Sequence, residues 1–95
     1  MKTIKIEELQ EQIENKNPII DVREIYEYQT GHIPGAKNIP LSEIEERYKE
    51  IANGSYIVCQ SGGRSLKACH YLEVQEIEAV NVLGGTSSWN GILVE

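Results

Sequence analysis

Apolar positions along this chain alternate between helical and strand-like spacing. Ile6, Leu9 and Ile13 fall at helical spacing among glutamates and glutamines, which predicts a short amphipathic helix ending at the Asn15-Lys16-Asn17-Pro18 breaker. Ile4, just ahead of it, predicts a short edge strand. Pro18-Ile19-Ile20-Asp21-Val22 is a compact apolar run with Asp21 and Arg23 at its C-terminal end, and reads as a fully buried parallel strand. A brief helix is predicted from Glu24 to Gln29, stopped by Thr30-Gly31 with the glycine as a left-handed cap. His32-Ile33-Pro34-Gly35-Ala36 predicts a turn, and Asn38-Ile39-Pro40-Leu41 a short strand.

Ser42-Glu43-Ile44-Glu45 reads as a capping box, in which Ser42 and Glu45 satisfy each other's backbone donors. Ile44, Tyr48 and Ile51 mark the buried stripe of the helix it would open, which ends at Asn53-Gly54. Tyr56-Ile57-Val58 is the next buried strand. A turn through Gln60-Ser61-Gly62-Gly63 leads to a helix starting near Arg64, with Leu66, Ala68, Cys69 and Leu72 on its buried side. Glu78 to Leu83 is the last strand, and Gly84-Gly85 with a short segment holding Trp89 closes the pattern. Strands and helices alternate with no repeat or linker. That predicts one three-layer α/β domain over residues 1–95, built on a mainly parallel sheet.

Composition narrows the function. With 40% hydrophobic and 25% charged residues, the 95-residue chain has the make-up of a soluble globular protein. A net charge of −6 repels phosphate backbones, so no nucleic-acid partner is expected. No apolar run approaches a membrane span, and the N-terminal M-K-T-I-K-I-E-E-L-Q lacks the apolar core of a signal peptide. Two cysteines and two histidines show no metal-ligand spacing, so neither metal nor cofactor is expected. The expected setting is a reducing cytoplasm, where lone cysteines are catalytic or inert rather than bridged. A monomer is expected.

One stretch carries chemistry. Cys59 follows a strand directly and precedes a helix N-terminus, where unpaired N–H groups and the helix dipole favour an anion. A thiol so placed loses its proton more easily than a free one, and the thiolate is the reactive form. Gly62 and Gly63 let successive N–H groups face one point. Arg64 adds a positive charge where the dipole disfavours it, which points to a ligand or a partner carboxylate. The competing reading is a buried structural cysteine beside a glycine turn. Strand, loop and helix converging on one atom favour the nucleophile.

These residues resemble a known family. D-V-R-E-x-x-E-Y at 21–28, G-H-I-P-G-A at 31–36, N-I-P-L at 38–41, C-Q-S-G-G-R-S at 59–65 and N-V-L-G-G-x-x-x-W at 81–89 resemble the single-domain rhodaneses, the thiosulfate and persulfide sulfurtransferases. The resemblance implies a five-stranded parallel sheet with helices on both faces. It makes Cys59 the nucleophile that carries a sulfur atom as a persulfide. Gln60, Ser61, Gly62, Gly63 and Arg64 complete the loop, with Ser65 closing the motif beside the substrate. Asp21 and Arg23 fall near the site in a structural role, and residues 31–36 are scaffold. It implies a small anionic sulfur donor or a protein persulfide, and a thiol or cyanide acceptor.

Arg64 is the fifth residue after Cys59, giving C-x4-R. Related cell-cycle phosphatases and arsenate reductases use a loop one residue longer to fit a tetrahedral oxyanion, so the count favours sulfur transfer over phosphate chemistry. A rhodanese-like module that binds a partner or senses redox state with little turnover is the second reading. In Leu-Glu-Val-Gln-Glu-Ile, relatives often carry glycine where this chain has Glu76, at a cost on the order of 1 kcal/mol if the backbone is left-handed there. The last helix is expected to be short. Cys69 is read as buried against the sheet rather than as a resolving thiol, His32 as a hydrogen bond within its turn, and His70 as solvated. Trp89 and the tyrosines are read as packing.

Overall fold

The computed structural model describes residues 1–11 and 17–95. Five strands, β1 (Lys2–Lys5), β2 (Ile19–Asp21), β3 (Lys37–Asn38), β4 (Ser55–Val58) and β5 (Ala79–Leu83), form one sheet in the order β1-β5-β4-β2-β3. Every pairing is parallel. Parallel strands need crossovers, and these place helices on both faces. The helices are α1 (Ile6–Glu11), α2 (Ile25–Thr30), α3 (Ile44–Arg47) and α4 (Gly63–Val74).

The side-chain period of two divides the core. Ile20 and Ile57 face Ile44, Ile51, Ala68, Cys69 and Leu72, the inward residues of α3, α4 and their flanks. Ile19, Tyr56 and Val58 face the opposite way, onto Ile6, Leu9, Ile33 and Ala36. All four residues of β4 are buried, which is why this strand reads as an unbroken apolar run. Ile4 lies in an edge strand, β1, opposite Val82. Ile6 and Leu9 are the buried stripe of α1, whereas Ile13 and the Asn15-Lys16 breaker lie outside the described residues.

Four local expectations are corrected. Gly31 ends α2, but with φ 158 and ψ 132 it is extended rather than left-handed, because the chain turns at once into a bridge between His32 and Val94. The third strand is only Lys37–Asn38, although the Ile39 and Leu41 N–H groups still reach the Asp21 and Val22 carbonyls at 3.0 and 2.9 Å. Ser42 caps nothing: its hydroxyl donates to the Glu24 carboxylate at 3.0 Å, and the segment breaks into a 3-10 turn at Leu41–Glu43, α3, and another at Tyr48–Glu50. A distant carboxylate outcompetes the local box. On α4, Leu66 is exposed and Ser65 takes its place in the buried set with Ala68, Cys69 and Leu72, which is the true i, i+3, i+4, i+7 stripe.

Glu76 is left-handed, with φ 62. The Ile77 N–H bonds the Leu72 carbonyl at 2.9 Å and the Glu76 N–H bonds the Glu73 carbonyl at 3.0 Å, a Schellman cap with glutamate at the position glycine favours. Glu76→Gly is therefore expected to raise unfolding free energy by about 1 kcal/mol. A shift of the urea midpoint to higher concentration with an unchanged slope is the check.

Candidate active site

Cys59 is the first residue past the central strand β4, and α4 starts four residues later, so the helix axis ends against the loop. The Gly62 N–H points at the Cys59 sulfur, 3.0 Å away. Gly62 holds φ 120, a conformation L side chains rarely adopt. The Ser65 hydroxyl, from the first turn of α4, lies 3.5 Å from the same sulfur. Burial pushes the Cys59 thiol up, but the Ser65 hydroxyl and the amides of Ser65, Gly62 and Ser61 outweigh it and hold the thiol below its ordinary value. The sulfur is thus buried, accepts the Gly62 N–H and, as a thiol, donates to the Ser65 hydroxyl.

The carbonyls of the loop are held from outside. Cys59 O accepts the Thr86 N–H at 2.8 Å and the Thr86 hydroxyl at 3.2 Å, and Gln60 O accepts the Ser87 N–H at 3.0 Å. With the Cys59 and Gln60 carbonyls drawn to the segment after β5, the Gly62 amide is left for the sulfur. Gly85 makes this contact possible, since a Cβ there would sit 2.2 Å from Cys59 O. Nothing in the sequence reading assigned a role to this clamp. Its signal was the glycine pair in N-V-L-G-G.

Gln60 and Ser61 are exposed at the mouth, and Gly63 opens α4. Of the two partners expected for Arg64, a ligand or a carboxylate, the structure shows the carboxylate. Its guanidinium grips the Glu27 carboxylate with two parallel bonds, Nη1 to Oε1 at 2.6 Å and Nη2 to Oε2 at 2.9 Å. Glu27 in turn accepts the Glu24 N–H at 3.0 Å at the start of α2. The Arg64 bonds hold its carboxyl down to about 2, so the carboxylate is ionised at neutral pH. Glu27 was the second glutamate of D-V-R-E-x-x-E-Y, and it is the partner carboxylate that Arg64 called for.

Asp21 and Arg23 lie beside the loop, not in it. Arg23 donates to Asp21 through its own N–H at 2.9 Å, through Nε at 3.1 Å to both oxygens and through Nη2 at 2.9 Å, and also reaches Gly31 O at 2.8 Å. His32 stacks on Tyr28 and bonds the Tyr28 carbonyl through Nδ1 at 2.9 Å, as scaffold. His70 is exposed. Cys69 is buried on α4, and burial pushes its thiol up to about 12. Among the described residues, no cluster of histidine, cysteine, aspartate or glutamate could hold a metal ion, and no helix is long and apolar enough to cross a membrane.

A thiol at the C-terminal end of a central parallel strand, ringed by loop amides ahead of a helix, defines an α/β domain built around a reactive cysteine. The chain belongs to the rhodanese-like domain family, whose model matches residues 5–92. It is 38% identical over 95 residues to "Putative sulfurtransferase YtwF" of Bacillus subtilis, covering 96% of this chain and 92% of that protein. It is 45% identical over 76 residues to "Putative sulfur carrier protein YrkF" of Bacillus subtilis, covering 77% of this chain but only 41% of that one. The crystal structure of a rhodanese-like domain protein from Staphylococcus aureus superposes with a TM-score of 0.89 at 38% identity, over 100% of this chain and 99% of that one.

Proposed function

We propose that this chain is a sulfurtransferase that takes a sulfane sulfur onto Cys59 and passes it to a thiol, or to cyanide in the test tube. The observation that carries the reading is the Gly62 amide, 3.0 Å from a buried sulfur, in a loop whose Cys59 and Gln60 carbonyls are held by the segment after β5. Such a ring stabilises negative charge on sulfur without a general base. The Cys59 thiolate attacks the outer sulfur of R–S–SH; the S–S bond breaks, R–S⁻ leaves with the electron pair, and Cys59–S–SH remains. The acceptor thiolate then attacks the outer sulfur, and the Cys59 thiolate returns. The relatives named for sulfur transfer and sulfur carriage support this reading.

Because Arg64 is neutralised by Glu27, the loop offers no free cation to a dianion such as thiosulfate. A low-molecular-weight or protein persulfide is the better donor. A reducing compartment such as the cytoplasm suits a thiol that must stay unbridged between cycles. The test is intact-mass measurement after incubation with a small persulfide and, separately, thiosulfate. A gain of one sulfur atom, faster from the persulfide, is expected. No gain from either donor overturns the proposal and leaves a binding or redox-sensing module.

A further inference from the structure

Asn81 is an unusual residue for the place it occupies. It lies in the middle of β5, opposite Ile57 of β4, with its side chain 1% exposed. Asparagine is depleted in strands and costly to bury without a partner. With Ala79 two residues before it, it faces the side of the sheet that holds Cys59, Ala68 and Cys69. Its side-chain oxygen lies 2.6 Å from the Ser65 hydroxyl, which is itself fully buried.

The Ser65 hydroxyl has one proton and three claims on it. Cys59 Sγ lies 3.5 Å away, the Gly62 carbonyl 3.0 Å and Asn81 Oδ1 2.6 Å. The thiol donates to Ser65 and Ser65 donates onward to the Asn81 oxygen, the arrangement suited to a protonated sulfur. An anionic sulfur can only accept, so the Ser65 proton must turn to it, and a donor behind the serine oxygen favours that orientation. The Gly62 carbonyl can only accept. A primary amide carries both a donor and an acceptor, and exchanges them by one rotation of its side chain.

We propose that Asn81 is a positioning residue which, by presenting either its oxygen or its NH2 group to Ser65, decides whether the Ser65 hydroxyl is offered to the sulfur of Cys59. Its effect on turnover rests on the sulfur-transfer reading; its effect on thiol ionisation does not. Among the described residues, Arg64 and Cys69, both on α4, are titratable groups coupled to Cys59. From β2 the nearest charges are Asp21 and Arg23, which pair with each other, and the Thr86–Ser88 turn brings none. Changing Asn81 leaves all of these in place.

The experiment is the pH dependence of Cys59 alkylation by iodoacetamide, mapped by peptide mass, with circular dichroism to confirm folding. Asn81→Leu keeps the bulk without the polar ends, and Asn81→Ala, read in parallel, adds no bulk if the leucine variant fails to fold. Each is expected to move the midpoint up by about one pH unit, the scale of one hydrogen bond to a charged group. Ser65→Ala moves it similarly, and adding the Asn81 change to Ser65→Ala moves it no further, because Asn81 acts only through Ser65. An unmoved midpoint in a folded Asn81 variant overturns the proposal, as does a double variant whose shift is the sum of the two. A wild type that loads no sulfur would defeat the transfer reading and leave this titration intact.

Discussion

The Cys59→Ser protein is expected to gain no sulfur from any sulfane donor, whereas Cys69→Ser is expected to load as fully as the wild type. Both thiols are free and buried, so exposure does not separate them. Their surroundings do. Cys59 receives the Gly62 amide and lies beside Ser65 at a helix N-terminus, and its thiol sits below the ordinary range. Cys69 lies within α4 among Ile57, Ala68 and Leu72, where burial raises its thiol to about 12 and leaves almost no thiolate at neutral pH. Since the thiolate is the nucleophile, the two differ in reactive fraction by orders of magnitude. A serine hydroxyl in the amide ring remains protonated and cannot hold a transferred sulfur, so the loss is at least about 10³-fold. Loading also rises with pH as the thiol ionises. In the wild type it is expected to level off at lower pH than the alkylation of a free cysteine, which ionises near pH ~8.5. Intact-mass time courses on the three proteins across pH read all of these outcomes. Loading retained on Cys59→Ser would place the sulfur elsewhere.

What could be read from the chain was what lies close together along it. The Cys59 loop stood out because strand, glycines and helix start follow one another within a few residues, and their joint effect on a thiol needs no tertiary knowledge. The strain at Glu76 was legible for the same reason: a helix must be capped there, and glutamate is a poor residue for φ 62. The misreadings share an opposite cause. Ser42 and Glu45 form a good local box, yet Glu24, eighteen residues before Ser42, claims the hydroxyl. Leu66 was assigned to the buried stripe for its apolarity, although the helical angle gives that place to Ser65. Residue type misled where geometry decided. The parts of the site that went unseen are long-range contacts. Arg64 meets Glu27 across 37 residues, Thr86 braces Cys59 across 27, and Asn81 meets Ser65 across 16. Each of these residues was visible, and Glu27 sat inside a motif already singled out. The missing information was the strand order that puts β5 and β2 on either side of β4.

That strand order makes Asp21 the most consequential structural residue near the loop, and Asp21→Ala is expected to cost about 3–5 kcal/mol of unfolding free energy. The carboxylate is fully buried and Arg23 is 4% exposed, so neither charge is solvated when the other is removed. With alanine at 21, the guanidinium keeps, among the described residues, the Gly31 carbonyl as its partner. The Arg23 N–H also loses its acceptor at Asp21 Oδ1. Against the 5–15 kcal/mol typical of a small domain, this is a large fraction, and urea unfolding measures it directly. The pair need not be worth that much itself. Replacing both partners with apolar residues, as in Asp21→Leu with Arg23→Met, is expected to recover most of the loss, because no charge is then left buried alone. The chemistry is a separate readout. The Val22 N–H bonds the Val58 carbonyl at 2.9 Å, one residue before Cys59, so this segment supports the loop through the backbone ladder rather than through a side chain on the sulfur. Sulfur loading per folded Asp21→Ala molecule should therefore stay near the wild-type rate while the folded fraction falls. A stable Asp21→Ala protein that loads slowly would assign the carboxylate a part in the reaction itself.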